Sequence, residues 1–433
     1  MIGIKPITLA LVAVLAAFLA PVVRAQEQPE PIFPTKIIDP SVGYVQVSVV
    51  PAPDNARPYP IITLGSGERF EIGFDLLDDV PHNICYTVQH CTARWEPSSL
   101  VAADYLSGPP EGLITSSVPS VATMVTYRHY SIPLGAGTPH NLLLSGNYLL
   151  KAYSESVSGA PLFEAAFAVA EGKADISMHI TAATQATHYN KHQQVDLWVR
   201  PAEGFPAQEH YYYVAVGQNG SPYRSAALTQ PNEVAPGLIG FSGPAGAVFA
   251  SGNTFKSTEI LTDKYNGMGV NHSYSQNGLT FMELFTDYAR GGRSFTADQS
   301  APGNYIIRNT DTDAPDEEIS TDYYAILFTL NTEALPEPPT SGITLEGAAF
   351  DALPEGFRTL SYDPATGLYQ AQILLKGGYI AYRYCPLNRT GLNPIEGDFY
   401  QTHNNYTALV YLKSPADRYH RLLAYNTTAA SSL

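Results

Sequence analysis

Residues 86–106 (YTVQHCTARWEPSSLVAADYL) contain the side chains whose types and spacing come nearest to reactive chemistry. His90 directly precedes Cys91, and a thiol activated by an imidazole is a common nucleophile. The segment begins as an alternating strand, however, and successive side chains of a strand point to opposite faces. His90 and Cys91 should therefore diverge. We expect a packed strand end, to which Trp95 and Tyr105 add apolar bulk, rather than a catalytic pair.

The cysteines do not form a disulfide framework. The chain has three, Cys85, Cys91 and Cys385. The first two are six residues apart in one expected strand, about 20 Å at roughly 3.3 Å per residue, which is too far for a bridge. The sequence leaves open a bridge from either one to Cys385. The favoured interpretation is that all three are small buried hydrophobic residues.

Two patterns resemble metal sites. His188 and His192 are spaced i and i+4, as in a helical zinc pair, but the glutamate of a zincin is missing and the local sequence does not indicate a helix. The acidic residues 311–318 carry the oxygen ligands that calcium prefers, without the glycine turn and regular spacing of an EF-hand loop. We expect a surface loop and a solvated linker.

A glycosidase would need two carboxylates at a defined separation across a cleft. Asp75, Asp78 and Asp79 are the nearest candidates, but acids are common where a strand passes into a turn. The sequence has no G-x-S-x-G elbow, P-loop, dinucleotide fingerprint or C-x-x-C pair. We assign no catalytic, cofactor-binding or metal-binding residue.

The elements that position these residues are short strands. Apolar and aromatic residues alternate in runs separated by Gly, Pro, Asn and Asp, which is typical of an all-β protein. Only residues 98–106 suggest a helix, with Ser98 or Ser99 as its N-cap. The predicted strands cover residues 44–50, 70–76, 84–90, 148–153, 162–169, 195–200, 210–217, 279–285, 323–330, 368–374, 379–384 and 407–412.

Residues 1–25 are expected to be a signal peptide. Lys5 precedes an apolar run of about 14 residues, shorter than the roughly 20 of a membrane span, and small residues at Val23 and Ala25 suit cleavage after Ala25. The alternative is an N-terminal anchor helix. Cleavage would change the formal net charge from −16 to −18. Such a charge argues against binding to nucleic acid or anionic lipid surfaces, so we expect a soluble exported protein.

The length of the chain indicates tandem β-sandwich domains. We expect a flexible lead-in at 26–35, an N-terminal β-sandwich at 36–171, a middle β domain at 172–311 and a C-terminal β-sandwich at 312–433. The last resembles an early-set immunoglobulin-like fold. Within it, the glycine pair Gly377-Gly378 between two apolar runs predicts a hairpin.

Ten short motifs occur together and in order along most of the chain. Each is weak alone, but their ordered combination resembles the type IX secretion system plug proteins, formerly classed as a domain of unknown function. The motifs are HCTARWEPS (90–98), DYLSG (104–108), YRHYSIP (127–133), LSGNYLL (144–150), GQN (217–219), ASGNTF (250–255), DYYA (322–325), LLKGGY (374–379), EGDFYQT (396–402) and NY (405–406).

The resemblance implies a non-enzymatic periplasmic protein. Such plugs are thought to close the periplasmic opening of a large outer-membrane β-barrel translocon when no substrate is engaged. The implied partner is that translocon, and the sequence does not identify the interface residues. The alternatives are an exported glycan-binding module, suggested by the last domain and the 29 tyrosines, and, with less support, a glycoside hydrolase.

Overall fold

The protein was analysed as a computed structural model that describes residues 31–53, 58–155, 159–182, 190–206, 208–297, 302–310, 316–337, 339, 341–389 and 391–430. Strands account for 49% of the chain and helices for 6%, which confirms the all-β class and the tandem-sandwich architecture. The expectations for residues 1–25, for 26–30 of the lead-in, for His188 and for 311–315 lie outside the described residues. In the described part, no helix has the length and apolar character needed to span a membrane.

Two sheets from the N-terminal part pack face to face as the first sandwich. In β4 (Arg69–Leu76), Phe70, Ile72 and Phe74 are fully buried, because alternate side chains of the strand enter the core. The facing sheet contributes Phe163 and Phe167. One sheet comprises β1 (Lys36–Ile37), β3 (Ile61–Thr63), β5 (Ile84–Cys91), β6 (Glu111–Ile114), β9 (Gly146–Ser154) and β10 (Pro161–Ala170), and the other β2 (Val42–Val50), β4 (Arg69–Leu76), β7 (Val118–Pro119) and β8 (Arg128–Gly135).

The second sandwich combines the middle of the chain with its last two strands. Val195, Leu197 and Val199 from one sheet meet Val214 and Val410 from the other in a shared core. One sheet contains β11 (Ala174–Ala182), β12 (His192–Pro201), β15 (Glu233–Ala235), β16 (Leu238–Phe241) and β17 (Ala247–Ala250), and the other β13 (Tyr212–Gln218), β14 (Ser225–Leu228), β28 (Asn405–Leu412) and β29 (Arg421–Ala429).

The third unit is a ten-stranded sheet that curls until its terminal strands approach each other, where the Glu259 N–H donates to the Met268 carbonyl at 3.0 Å. Its strands are β18 (Lys256–Ile260), β19 (Val270–Gln276), β20 (Leu279–Leu284), β21 (Asp287–Tyr288), β22 (Tyr305–Ile307), β23 (Tyr323–Asn331), β24 (Ile343–Glu346), β25 (Thr359–Asp363), β26 (Leu368–Lys376) and β27 (Gly378–Pro386).

Strand pairing crosses the boundary expected at residue 311. β18 pairs with β27 and β20 with β23, so strands from both sides of 311 are hydrogen-bonded in one sheet. β13 likewise pairs with β28, far beyond 311. The boundaries at 171 and 311 and the immunoglobulin-like character of the last domain remain predictions.

The hairpin predicted at Gly377-Gly378 is wrong. β26 pairs with β23 and β25, whereas β27 pairs with β18, β22 and β24, and in the sheet order β24 and β25 lie between them. Gly378 has a φ of 140°, and a Cβ there would lie 2.1 Å from the Ile306 carbonyl oxygen. The glycine pair therefore turns the chain through a tightly packed corner instead of reversing it.

The predicted helix at 98–106 is a single turn. The described helices are α1 (Ala102–Tyr105), α2 (Glu317–Ser320), α3 (Ala348–Asp351) and α4 (Glu355–Arg358), with 3-10 turns at Glu209–Tyr211 and Gly243–Ala245. The N-cap of α1 is Val101, whose N–H donates to the Asp104 carboxylate at 3.1 Å. The expected cap Ser98 instead hydrogen-bonds His90, so the N-cap prediction is wrong.

Candidate functional site

His90 and Cys91 do not form a reactive pair. The Nδ1 atom of His90 lies 2.9 Å from the Ser98 hydroxyl and Nε2 lies 3.0 Å from the Ser145 carbonyl oxygen, so both ring nitrogens have other partners. Burial lowers the pKa of His90 and raises the pKa of Cys91 to about 12. The thiol thus stays protonated at neutral pH and the imidazole stays neutral.

The turn after β5 is part of a packed junction between the two sandwiches. The Asn147 side chain donates to the Thr92 carbonyl at 2.9 Å and accepts from the Tyr411 hydroxyl at 2.8 Å. Trp95 packs on Phe33, with 4.9 Å between ring centroids. The motif around residue 90 is therefore linked to β28 through the Asn147 side chain of β9.

The structure shows the state of the three cysteines and the positions of the described residues that resembled metal ligands. All three cysteines are free, with Cys91 and Cys385 buried, so neither bridge left open by the sequence forms. His192 lies at the start of β12 and pairs with Ala250 in the sheet. Within the described ranges, no group of three or more His, Cys, Asp or Glu side chains is placed to hold a metal ion.

The three aspartates do not share a cleft. Asp78 is partly exposed and contacts His82, with 2.8 Å between Oδ2 and Nε2, and the carbonyl of Asp79 accepts from Arg128. Asp75 is fully buried, in a cluster where the first sandwich meets the ten-stranded sheet.

That cluster, the Asp75 cluster, consists of Asp75, His129, Glu318, Tyr323 and Lys376. Asp75 and His129 are directly opposite each other on β4 and β8, and Tyr323 and Lys376 are directly opposite on β23 and β26. Two cross-strand pairs from different sheets thus face one another, and Glu318 closes the group from α2.

The Asp75 carboxylate has a partner on each oxygen. Its Oδ1 lies 2.8 Å from His129 Nδ1, while Oδ2 lies 2.6 Å from both Lys376 Nζ and the Tyr323 hydroxyl. The other ring nitrogen of His129 lies 2.9 Å from Glu318 Oε2. Lys376 also donates to the Glu318 carbonyl. A buried charge is tolerated only when it is paired and hydrogen-bonded in this way.

The protonation states follow from these contacts. Burial lowers the pKa of His129, but the hydrogen bonds that its ring donates to the Asp75 and Glu318 carboxylates outweigh it and raise the pKa to about 9. Burial also lowers the pKa of Lys376, and the Asp75 carboxylate opposes that shift. His129 is therefore a cation at neutral pH between two carboxylates. With a carboxylate at each ring nitrogen, it is not available as a general base.

A second set of charges, the Glu346 cluster, joins the second sandwich to the ten-stranded sheet. Arg224, which precedes β14, contacts both oxygens of Glu346 at 2.5 and 3.0 Å. Arg383, opposite Glu346 on β27, also contacts both at 2.9 and 3.1 Å. Burial favours a raised pKa for Glu346, but the two guanidinium groups outweigh it and hold the pKa well below its usual range.

A third link joins the first sandwich to β29. Arg421 donates to both oxygens of Glu171, at 2.8 and 2.6 Å, and the Ser145 hydroxyl donates to the same carboxylate at 2.8 Å. Each of the three junctions between the units is thus crossed by charged or polar groups with defined partners. The arrangement is suited to holding the units in fixed positions rather than to bond making.

A cleft of about 500 Å³ lies where all three units meet. Gln46 and Val49 of β2, Asn219, Tyr305 and Asp351 are among its lining residues. Of the aromatic residues that line the cleft, Tyr59 is only 2% exposed and Phe255 only 4%, whereas Tyr305 is partly exposed.

Sequence reasoning singled out Asp75 but expected an ordinary acid at a strand-to-turn junction, and it missed Lys376, Glu346 and Arg383 as charged contacts. A usable signal was present. Each of these charges stands within an apolar strand run, as in LLKGG (374–378) and ITLEG (343–347). An isolated charge in such a run must be paired on folding.

The fold and its junctions define a class of protein: a rigid all-β scaffold of sandwiches and a curled sheet locked by buried ion pairs. Residues 45–171 match the family model described as the type 9 secretion system plug protein 1st domain. The chain thus carries the first domain of the type 9 secretion system plug family, and the resemblance found in the sequence is confirmed.

Among solved structures, the chain is similar to a hypothetical protein from Parabacteroides merdae, with 29% identity, a TM-score of 0.83 and coverage of 92% of this chain and 99% of that one. Native alpha-2-macroglobulin from Escherichia coli, domains NIE-MG1, is matched at 11% identity over 48% of this chain and 96% of that one, but the TM-score of 0.15 does not indicate a shared fold. No curated protein matches the sequence.

Proposed function

We propose that the protein is a non-enzymatic periplasmic plug that closes the periplasmic opening of the outer-membrane translocon of the type IX secretion system when no substrate is engaged. The observation that carries the proposal is the match of residues 45–171 to the plug protein first domain. The proposal includes export through a signal peptide at 1–25 and association with the outer membrane through the translocon.

The construction of the protein supports this role. A pore wide enough for folded cargo leaks solutes unless a stiff body fills its mouth, and packed sheets provide stiffness. The Asp75 and Glu346 clusters and the Glu171–Arg421 pair fix the three units to one another. A stopper whose units moved independently would leave gaps at its edges.

Release is then a binding competition. Cargo or another subunit must favour the unplugged state through its difference in affinity for the two states. A shift from 99% plugged to 99% open requires about 5.5 kcal/mol of differential binding free energy. That is within the range of an ordinary protein interface, so the plug itself needs no chemical energy source.

The proposal is tested by purification of a C-terminally tagged protein from the native host in mild detergent. A large outer-membrane β-barrel should co-purify in near-stoichiometric amount, and an equally expressed, tagged periplasmic protein of unrelated fold should not retain it. Recovery of the tagged protein without a barrel, from cells that contain the translocon, would count against plugging. Glycan-array binding without a barrel would favour the sugar-binding alternative.

A further inference from the structure

A second, smaller pocket of about 350 Å³ lies at the junction of the two sandwiches, away from the charge clusters. Four of its nine lining residues are Arg94, His210, Lys413 and His420. Arg94 lies in the turn after β5, His210 in the 3-10 turn before β13, and Lys413 and His420 at the two ends of the connection from β28 to β29. We propose that this basic pocket binds a small oxyanion of the phosphate class.

The concentration of positive groups is unusual for this chain. Lys and Arg number 24 and His 11 among 433 residues, about one residue in twelve. In the pocket they are four of nine, and none of the described lining residues is Asp or Glu. The whole chain carries a net charge of −16, so most of its surface is expected to be acidic. The pocket is a locally basic part of that surface.

The backbone brings the positive groups together. Lys413 directly follows β28, and its N–H donates to the Tyr211 carbonyl at 2.9 Å, which holds it beside the 3-10 turn that carries His210. The Lys413 side chain donates to the carbonyl oxygen of Asp417. The carboxylate of Asp417 is directed elsewhere, to Ser414 and Arg421, and does not neutralise the lysine.

The same positive charges affect the pKa of His420. Burial lowers its pKa, the charges of Lys413 and Arg94 lower it further, and Glu96 acts in the opposite direction. Glu209 is the acidic neighbour of His210 within the 3-10 turn. A bound anion would offset the repulsion between the positive groups and favour protonation of His420.

The chemistry of the pocket selects the type of anion. Arginine presents a planar fork to phosphate oxygens, lysine adds a compact charge, and the N–H groups of the imidazole rings donate further hydrogen bonds. An extended polyanion or an anionic membrane surface would meet the acidic remainder of the protein and be repelled. The fitting ligand is one compact group: free phosphate, or the phosphomonoester of a small molecule. The assignment does not depend on the proposed plug function.

The test is calorimetric titration of inorganic phosphate into the full mature chain, in phosphate-free buffer near pH 6 and near pH 8. Phosphate should bind in a one-to-one ratio. The variants Arg94→Met and Lys413→Met should each weaken binding by about tenfold or more, because each removes a charge-assisted contact.

Arg418→Met is the matched control, since Arg418 lies in the same connection, is 68% exposed and pairs with Asp104 outside the pocket. It should bind like the wild type. Circular dichroism confirms that each variant is folded. Absence of phosphate binding by the wild type, or equal binding by all three variants, would overturn the assignment. Phosphatidic acid vesicles serve as a second probe, and preferential binding to vesicles over free phosphate would overturn the choice of a soluble ligand.

Discussion

Replacing Lys376 with methionine tests whether the Asp75 cluster locks the first sandwich to the ten-stranded sheet. Lys376 and Asp75 have fully buried side chains, with 2.6 Å between Nζ and Oδ2. Methionine has a similar volume, but it removes the cation, its hydrogen bonds and its contact with the Tyr127 ring at 4.3 Å. Breaking one partner of a buried pair costs about 3–5 kcal/mol.

The expected cost lies at the lower end of that range. Asp75 keeps the Tyr323 hydroxyl at 2.6 Å and the His129 ring, protonated at neutral pH, at 2.8 Å. We therefore expect a loss of about 3 kcal/mol in the free energy of unfolding. With a urea slope of about 2 kcal/mol per molar, the unfolding midpoint should fall by about 1.5 M.

The assay uses the two tryptophans of the chain. Trp95 follows β5 in the first sandwich and Trp198 lies in β12 of the second. In a Trp198→Phe background, the fluorescence of Trp95 reports unfolding of the first sandwich during a urea titration. Lys36→Met is the control, because Lys36 is 56% exposed and its pair with Glu164 should contribute less than about 1 kcal/mol.

The double variant Asp75→Asn/Lys376→Met tests whether the loss of stability comes from leaving the Asp75 charge without its lysine partner. Because it removes both buried charges, it should recover about 1–2 kcal/mol of the loss caused by Lys376→Met alone. If Lys376→Met proves no more destabilising than Lys36→Met, the Asp75 cluster does not lock the two units and the reasoning fails.

Three further results are expected. The pKa of His129 is raised to about 9 from about 6.5 in the unfolded chain, so protonated His129 should stabilise the fold by about 3 kcal/mol. This stabilisation should be complete below pH 6.5 and lost as the pH rises through 9. The urea unfolding midpoint should therefore fall between pH 6.5 and 9, and His129→Gln should remove that fall. Native protein should react with Ellman's reagent at Cys85 alone, because the other two thiols are buried with raised pKa values, and unfolding should expose all three; fast labelling of more than one native thiol would contradict this. Gly112→Ala should lower the free energy of unfolding by about 1–3 kcal/mol, because its Cβ would lie 2.0 Å from Tyr86 Cζ. The control Gly356→Ala has open space around its Cβ and should leave the stability measured by thermal melts nearly unchanged.

Much of the local structure could be predicted from the sequence. The runs at 70–76 and 84–90 became β4 and β5 because their alternation of apolar and polar residues is a property of neighbouring residues. That His90 and Cys91 form no reactive pair also followed from strand geometry, whereas the sequence left open a bridge from Cys91 to Cys385.

Long-range pairing could not be predicted. Nothing near Gly377 shows that β26 and β27 are held apart by β24 and β25, since that depends on strands elsewhere in the chain. Asp75 lies 301 residues before the lysine that neutralises it. One sequence identifies a charge in an apolar run, but the fold alone identifies its partner.

The central claim is most directly tested by outer-membrane permeability in strains that differ only in this protein and the translocon. Uptake of an antibiotic too large for general porins should rise when this protein is deleted, and return to normal when the translocon is deleted as well. Restoration by the wild-type gene completes the comparison. Unchanged uptake in the first strain, or equal leakage in both deletion strains, would contradict the account of the protein as a plug.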